Sequence, residues 1–219
     1  MNGRTPFAAA VAAAAFASSA AAQTPDDWKW VTDETATLVT GEDLPANGWR
    51  FVAMPPGWHV TMGPGGILFD PAFTASDRFS VEVEIFLFPG DSDEGYGAFA
   101  GGHGLDGEDR SYIAFLARGD GSAGIFRYTG NRAEPLIDWK HDDAVAKAAD
   151  DGTARNVIRI EVERDAVVLR INGTEIASLP REQLALDGHV GLRIGRGINI
   201  HASAFDITHR LAPAPPPSR

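Results

Sequence analysis

Six residues of this 219-residue chain combine ring faces and hydrogen-bond donors, which are the features that a binding site for a sugar ring requires. They are Tyr112, Arg118, Arg127, Tyr128, Trp139 and His201. Aromatic rings provide flat apolar walls, and a few polar donors fix the orientation of a ligand between them. Each residue has a structural alternative, since Trp139 would also suit a buried core and Arg127 a solvated strand.

Histidines form a second group of candidates, because their charge changes near neutral pH. His103 lies in a glycine-rich connection, residues 101–110, where glycine permits either close approach of a ligand or simply a turn. In an extended strand, His201 would share one face with Asn199 and Ser203 and would be able to meet Arg193 there. A histidine in that place is a base, a metal ligand or a satisfied donor, and the structural role is favoured.

Oxygen donors cluster at residues 91–95, Asp-Ser-Asp-Glu-Gly, as they do in calcium-binding loops. The twelve-residue EF-hand pattern is missing, so a solvated turn between two strands is the favoured interpretation and calcium is the alternative. The six histidines show no short-range pairing with an acid that would indicate zinc. The absence of cysteine excludes thiolate metal sites and thiol catalysis. We therefore expect no cofactor, with calcium as the weak exception.

The sequence offers no support for nucleophilic catalysis, since the Gly-x-Ser-x-Gly pattern is absent. Glu82 and Glu84 resemble a carboxylate pair, but they alternate with apolar residues and are expected on the solvated face of a strand. A retaining glycosidase needs two carboxyl groups about 5 Å apart, one of them with a raised pKa. The sequence places no such pair.

Alternation of apolar and polar residues predicts the strands that must position these groups. In residues 79–87 every second side chain is apolar, and residues 157–179 alternate over three short runs. Asn172-Gly173, between two of those runs, is typical of a two-residue hairpin turn and also matches a glycosylation sequon; the turn is the favoured interpretation. Further strands are predicted at residues 66–69, 96–100, 112–117, 124–128, 189–194 and 199–208.

Helical segments are expected to be short. Residues 142–152 are predicted to form a helix that ends at Gly152, and residues 180–184 suit one further turn. Many short strands separated by turn residues indicate an all-β fold, an antiparallel β-sandwich that forms one domain over residues 23–210.

Composition and the chain ends limit the surroundings of this domain. Residues 1–22 contain Arg4, an apolar run and a group of alanines, which is the order of a secretory signal peptide; we expect a periplasmic or extracellular protein. Residues 211–219 are expected to form a proline-rich tail. No segment reaches the length of a membrane span, and the net charge of −11 argues against nucleic acid as a partner. The oligomeric state stays open.

The order of the predicted strands resembles the concanavalin-A-like lectin and glucanase superfamily. Laminin-G-like domains and secreted bacterial domains of the 3-keto-glycoside hydrolase type are the most similar members. The resemblance covers residues 49–208, and its most specific part is residues 169–194, which contain the Asn-Gly turn and the run Gly-His-Val-Gly-Leu-Arg-Ile. It implies a jelly roll of two curved sheets that binds a ligand on its concave sheet or on the loops at the rim.

Three functions are compatible with this resemblance. It implies a non-catalytic domain that binds carbohydrate or glycan, with the six ring and donor residues on the concave face. A glycoside-cleaving enzyme of the 3-keto-glycoside hydrolase type is the first alternative, although the Glu-x-Asp-x-x-Glu strand of laminarinase-type members has no counterpart here. An extracellular adhesion or assembly module is the second alternative.

Overall fold

A computed structural model describes residues 27–41, 43–90 and 92–210. In these residues the chain forms fifteen strands and one short 3-10 helix, Arg181–Gln183. The strands are β1 (Lys29–Thr32), β2 (Thr37–Leu38), β3 (Gly48–Ala53), β4 (Trp58–Met62), β5 (Gly66–Ala75), β6 (Phe79–Leu87), β7 (Tyr96–His103), β8 (Ser111–Ala117), β9 (Ser122–Thr129), β10 (Arg132–His141), β11 (Ala154–Val162), β12 (Ala166–Ile171), β13 (Thr174–Pro180), β14 (Gly188–Ile194) and β15 (Asn199–His209).

The strands form two sheets that pack face to face. The seven-stranded sheet has the order β1-β5-β14-β7-β8-β9-β10, and the eight-stranded sheet has the order β13-β12-β11-β6-β15-β4-β3-β2. The short β2–β3 pair is parallel, whereas the longer pairs are antiparallel. The all-β sandwich predicted from the alternation is confirmed.

β6 shows how the alternation builds the core. From Phe79 to Leu87 every second side chain is buried between the sheets, where full burial of one such side chain contributes about 1.5–3 kcal/mol. Glu82 and Glu84 lie on the outer face of the sheet, as predicted. Each forms an ion pair with an arginine of the neighbouring β11, Arg159 and Arg155 respectively.

A hydrogen bond between distant strands shows that the seven-stranded sheet is strongly curved. Asn131, in the turn between β9 and β10, donates its side-chain N–H to the backbone carbonyl of Asp33, the residue after β1. The strand order places five spacings between β1 and β9, so these strands would lie about 24 Å apart in a flat sheet. The sheet therefore curls, and its outer face, which carries Asp33 and Asn131, is concave.

The three-stranded meander is confirmed, with β12 between β11 and β13. Asn172 and Gly173 form its predicted turn, with φ values of 52° and 83°, and glycine favours such positive angles. The Asn172 side-chain nitrogen donates hydrogen bonds to the carbonyl of Ala144 and to Asn156 Oδ1, both within 3 Å. A sugar attached to that nitrogen would leave it a single N–H and remove at least one of the two bonds, so the fold favours the turn over glycosylation.

The helix predicted for residues 142–152 is wrong, because this segment forms turns and an irregular loop. Its own backbone hydrogen bonds are isolated turns, from Val145 N–H to the Asp142 carbonyl and from Gly152 N–H to the Ala149 carbonyl, and a side chain of β11 binds the backbone between them. Asn156 Oδ1 accepts the N–H of Ala146, and Asn156 Nδ2 donates to the Ala146 carbonyl and to Tyr96 Oη across the sandwich. Burial of the Val145 side chain in the core also holds the loop against the sandwich. The short helical turn predicted at residues 180–184 is confirmed.

Several elements lie outside the sequence prediction. Strands β1 to β4 and β10 were not predicted, and β5 is longer than the predicted residues 66–69. The predicted signal peptide, residues 1–22, and the predicted tail, residues 211–219, lie outside the described residues. Within the part that is described, the chain contains no helix that is long and apolar enough to cross a membrane.

Candidate functional site

Three connections between strands meet at one end of the sandwich and enclose a cleft. They are residues 88–90 and 92–95 between β6 and β7, residues 118–121 between β8 and β9, and residues 195–198 between β14 and β15. The cleft consists of two adjoining hollows of about 370 and 470 Å³, a size typical of small-molecule sites. The residues that line both hollows are Ser92, Asp93, Arg118 and Gly197.

Side-chain hydrogen bonds hold these connections together. Asp120 Oδ1 accepts the backbone N–H of Ser122 at 2.8 Å and its hydroxyl at 2.6 Å, as an Asx turn does. Ser92 Oγ donates to the carbonyl of Arg196, which joins the first connection to the third. At Gly197, with φ at 69°, a side chain would come within 3.2 Å of Ser92 Cβ. The glycine therefore permits the close approach of two turns.

An arginine that lines the cleft, Arg118, is stacked on the ring of Trp139 behind it. The guanidinium carbon of Arg118 lies 3.7 Å from the centroid of the Trp139 ring, and such a cation–π contact contributes about 0.5–2 kcal/mol. The Trp139 ring also contacts Phe126, at 4.8 Å between centroids. At Gly95 a Cβ atom would approach Trp139 Cη2 to 2.6 Å, so only glycine leaves room for the ring. The stacking limits Arg118 to one orientation at the border of both hollows.

Both signs of charge surround the cleft. The hollow of about 370 Å³, called the inner hollow, is lined by Asp93, Asp120 and Arg118. The hollow of about 470 Å³, called the outer hollow, is also lined by Glu94 and Arg196. Carboxylates accept hydrogen bonds and guanidinium groups donate them, so the cleft offers both halves of the bonding that a hydroxyl group requires. Apolar surface completes the inner hollow, where it comes from Leu87, Phe88 and Ile198.

Four carboxyl groups of the described residues, Glu84, Asp120, Asp151 and Glu161, have a lowered pKa, and Asp120 is the one that lines the cleft. Burial opposes ionisation of Asp120, but the two hydrogen bonds from Ser122 outweigh it and lower the pKa. A hydrogen bond from Ser203 lowers the pKa of Glu84, and two arginines lower that of Glu161 against the effect of burial. A glycosidase acid needs the opposite shift. These groups are therefore suited to accept hydrogen bonds.

Tyr112 and Tyr128 lie together on the concave face, as predicted, but they are buried there. They are direct cross-strand partners on β8 and β9, and their rings stack at 4.8 Å with an angle of 10°. Tyr112 is 2% exposed and Tyr128 is 8% exposed. Phe99 of β7 contacts Tyr112, with 5.0 Å between the two ring centroids. Both rings belong to a second apolar cluster outside the main core, and their faces are occupied by other side chains.

A buried ionic group covers these rings. The Arg193 guanidinium carbon lies 4.8 Å from the centroid of the Tyr128 ring, and Arg193 and Arg110 both donate to Asp33. Burial opposes the charge of Arg193, but Tyr112 and Asp33 outweigh it, and the pKa of Arg193 is raised. Burial also raises the pKa of Tyr112. The open, ring-lined hollow expected on the concave face is therefore filled by the protein itself.

The expectation that Arg127 would share the concave face with Tyr128 is wrong. Successive residues of a strand point to opposite faces, so Arg127 lies on the core side of β9. Arg127 donates a hydrogen bond to the carbonyl of Gln183, in the 3-10 helix, at 3.3 Å. This bond joins β9 to the segment that crosses between the sheets, and it gives Arg127 a structural partner.

The expectation that His201 would share this face and meet Arg193 is also wrong. His201 belongs to β15 in the eight-stranded sheet, whereas Arg193 belongs to β14 in the other sheet. Because Ile200 and Ala202 point into the core, His201 lies on the outer face of its sheet, on the opposite side of the sandwich from Tyr112. Its Nε2 atom forms a hydrogen bond with the carbonyl of Pro56 at 3.0 Å.

The remaining candidates are divided between two places. His103 is exposed at the end of β7, on the glycine-rich connection, at the other end of the sandwich from the cleft. Asp93 and Glu94 of the predicted oxygen-rich turn line the cleft, and Asp91 lies outside the described residues. Within the described ranges, no three histidine, aspartate or glutamate side chains are grouped so that they could hold a metal ion.

Sequence reasoning missed the contributions of Asp120 and Arg196 to the cleft and placed Asn199 only on the face of His201. Asp120 follows Arg118 in the turn Arg-Gly-Asp-Gly, and Arg196 lies between two glycines before β15. Asn199 accepts a hydrogen bond from Thr61 at 3.1 Å and lines the inner hollow. The available signal was the turn chemistry, because glycine-flanked charged residues between strands mark loops at the ends of a sandwich.

Two stacked sheets with this strand order, one of them strongly curved, form a concanavalin-A-like jelly roll. The fold is shared with a carbohydrate binding module, CBM66, from Bacillus subtilis, at a TM-score of 0.58 and 11% identity over 82% of this chain and 95% of that one. The exoplasmic/lumenal domain of VIP36, in a form with Ca²⁺ and mannose bound, matches at a TM-score of 0.58 and 8% identity over 85% and 84% of the two chains.

A third similar structure is the β-glucanase of Bacillus licheniformis, at a TM-score of 0.57 and 10% identity over 86% of this chain and 95% of that one. No protein-family model matches the chain, and no curated protein matches it either. The identities are low, so these structures establish the fold of this chain, which is the two-sheet jelly roll that the resemblance implied.

Proposed function

We propose that this protein is a non-catalytic carbohydrate-binding domain and that its ligand occupies the cleft at the end of the sandwich. One observation carries the proposal. Arg118, held on Trp139, borders a hollow of about 370 Å³ that is also lined by Asp93, Asp120 and apolar side chains. A stacked guanidinium donor, carboxyl acceptors and an apolar wall around one small hollow suit a ligand rich in hydroxyl groups.

The similar structures support the class of ligand. Their descriptions include a carbohydrate binding module and a lumenal domain with mannose bound. A β-glucanase with the same fold shows that this architecture also hosts catalysis, so the fold alone does not separate binding from hydrolysis. The lowered pKa of Asp120 favours binding, because a general acid must keep its proton near neutral pH.

We further propose that the protein acts outside the cytoplasm. The support is the order of residues 1–22, with a basic residue, an apolar run and small residues. The net charge of −11 also suits a protein that remains dissolved and avoids anionic surfaces.

A glycan array, probed in the presence and absence of calcium, tests the function. The parent protein is expected to bind neutral glycans, and Arg118→Ala to weaken that binding at least about tenfold, since one charge-assisted donor is lost. Arg132→Ala is the matched control, because Arg132 is an exposed arginine at the start of β10, whereas Trp139 lies near the end of that strand. Release of sugar products from any bound glycan, or equal binding by both variants, would contradict the proposal.

A further inference from the structure

A third hollow continues the cleft onto the outer face of the eight-stranded sheet. It measures about 580 Å³ and shares Leu87 and Phe88 with the inner hollow of the cleft. Its other lining residues come from β6, from the beginning of β11 and from the loop between β10 and β11: Phe86, Ala146, Lys147, Thr153, Ala154 and Arg155. The surface available to a ligand therefore extends beyond the polar turns.

Two phenylalanines lie in succession along this surface. Phe86 and Phe88 are two residues apart on one face, which separates them by about 7 Å along the chain. Both are only partly buried, although they are large apolar side chains. The guanidinium carbon of Arg155 lies 5.8 Å from the centroid of the Phe86 ring. The ring centroids of His59 and Phe88 are 5.1 Å apart. Arg155 lies over one face of the Phe86 ring, and the His201 ring centroid is 6.3 Å from that of Phe86. A ligand would contact the part of each phenylalanine ring that these neighbours leave exposed.

We propose that the ligand of this protein is a chain of several neutral sugar units, which extends from the polar cleft over Phe88 to Phe86. This inference rests on the proposed function and specifies the class of carbohydrate. A single sugar unit would occupy one hollow, whereas three adjoining hollows with rings along the path suit consecutive units. Partly exposed rings bind the apolar face of a sugar, and their spacing of about 7 Å allows each to contact a different unit.

Charge along the path favours neutral sugars over acidic ones. Arg118 in the cleft is accompanied by the carboxylates of Asp93 and Asp120. Farther along, Arg155 forms an ion pair with Glu84. Lys147 is the second cation that lines the third hollow. Over the three hollows together with Glu84, four cationic side chains meet four carboxylates, so the path as a whole carries no net positive charge for an acidic polysaccharide. The net charge of −11 would also repel such a polysaccharide.

Binding of oligosaccharide ladders tests this extension. The probes are linear β-1,3-glucan, β-1,4-glucan, mannan and fructan oligomers of one to six units, and affinity is measured by calorimetry. For at least one ladder, the parent is expected to bind the longer oligomers at least about tenfold more tightly than the single unit. Phe86→Ala is expected to remove about fivefold to tenfold of that gain, without changing affinity for the shortest oligomer that binds.

Phe73→Ala is the matched control, since Phe73 is a phenylalanine of the other sheet and is 40% exposed. Urea unfolding of both variants establishes that they remain folded. If the parent binds a ladder but affinity does not rise with length, the extension is overturned and the proposed function stands. The same conclusion follows if Phe86→Ala and Phe73→Ala behave alike. If no ladder binds the parent, the proposed function and the extension both fail.

Discussion

Arg193 donates two hydrogen bonds to Asp33, from Nη1 to Oδ1 at 2.9 Å and from Nη2 to Oδ2 at 2.6 Å. The pair connects β14 to the residue that follows β1, across the concave face of the seven-stranded sheet. Both side chains are largely buried, and Arg110 adds a third bond to the same carboxylate. This ionic group fills the concave face, so the candidate binding site lies in the cleft at the end of the sandwich instead.

Asp33→Ala is expected to destabilise the fold strongly, by about 3–5 kcal/mol, because it leaves two buried guanidinium groups without their carboxylate. Urea unfolding measures the loss. Asp106→Ala is the control, since Asp106 forms an exposed ion pair with Lys29 that contributes at most about 1 kcal/mol. An equal decrease in the free energy of unfolding in the two variants would show that the buried pair stabilises the fold no more than an exposed pair does.

Gly95→Ala is expected to weaken carbohydrate binding while the domain stays folded. The new methyl group would reach 2.6 Å from Trp139 Cη2, so the ring must move and Arg118 loses its stacking partner. Affinity for a bound glycan and the unfolding midpoint are measured together. Gly107→Ala is the control, because the nearest atom to its added Cβ is at 3.4 Å. Unchanged affinity in Gly95→Ala would separate Trp139 from the site.

Asn156→Leu is expected to cost about 2–5 kcal/mol of stability. The substitution removes the two bonds to Ala146 and leaves Tyr96 Oη unpaired in the core, where an unpaired group costs about 1–3 kcal/mol. Asn172 loses one bond but keeps its bond to the carbonyl of Ala144. The loop that borders the cleft should also exchange amide hydrogens faster. Asn47→Leu, at an exposed asparagine, is the control and should change neither quantity.

Stability is expected to fall as the pH drops below about 6.5. Burial lowers the pKa of His59 below its ordinary value of 6.5, and the charges of His201 and Arg50 act in the same direction, although a hydrogen bond with Asn199 opposes them. The unfolded chain therefore binds a proton at this residue more readily than the folded chain does, and acid favours unfolding.

Urea unfolding between pH 7.5 and 5.5 measures this dependence. His59→Gln should show a smaller decrease over that range than the parent, whereas His209→Gln, at an exposed histidine, should follow the parent. Parallel curves for His59→Gln and the parent would exclude His59 as the source.

The strands of the meander and β6 were predictable because their signal is local. A strand with one buried face must place an apolar residue at every second position, and residues 79–87 do so without interruption. The Asn172-Gly173 turn was predictable for the same reason, since positive φ at two successive residues restricts the choice of residue types. Burial and turn geometry therefore depend on residue types within a few neighbouring positions of the chain.

The helix predicted at residues 142–152 shows where local reasoning fails. Its alanines favour a helix, but Asn156 and Asn172 offer its backbone hydrogen bonds from other strands, and burial of Val145 draws the segment onto the core. The misplacement of Arg127 is different, because alternation alone would have separated it from Tyr128. The oxygen-rich turn at residues 91–95 was singled out, but its position beside Arg118 was not.

The sequence by itself determined which side chains are buried, where the chain turns and that the protein is a β-sandwich, because these properties depend on residues close in the chain. The tertiary structure decided which sheet each strand joins. It placed His201 and Tyr112 on opposite faces, filled the concave face with Arg193 and Asp33, and brought three distant turns to one end. Pairing between strands far apart in the chain sets those relationships, and no local pattern of residues records it.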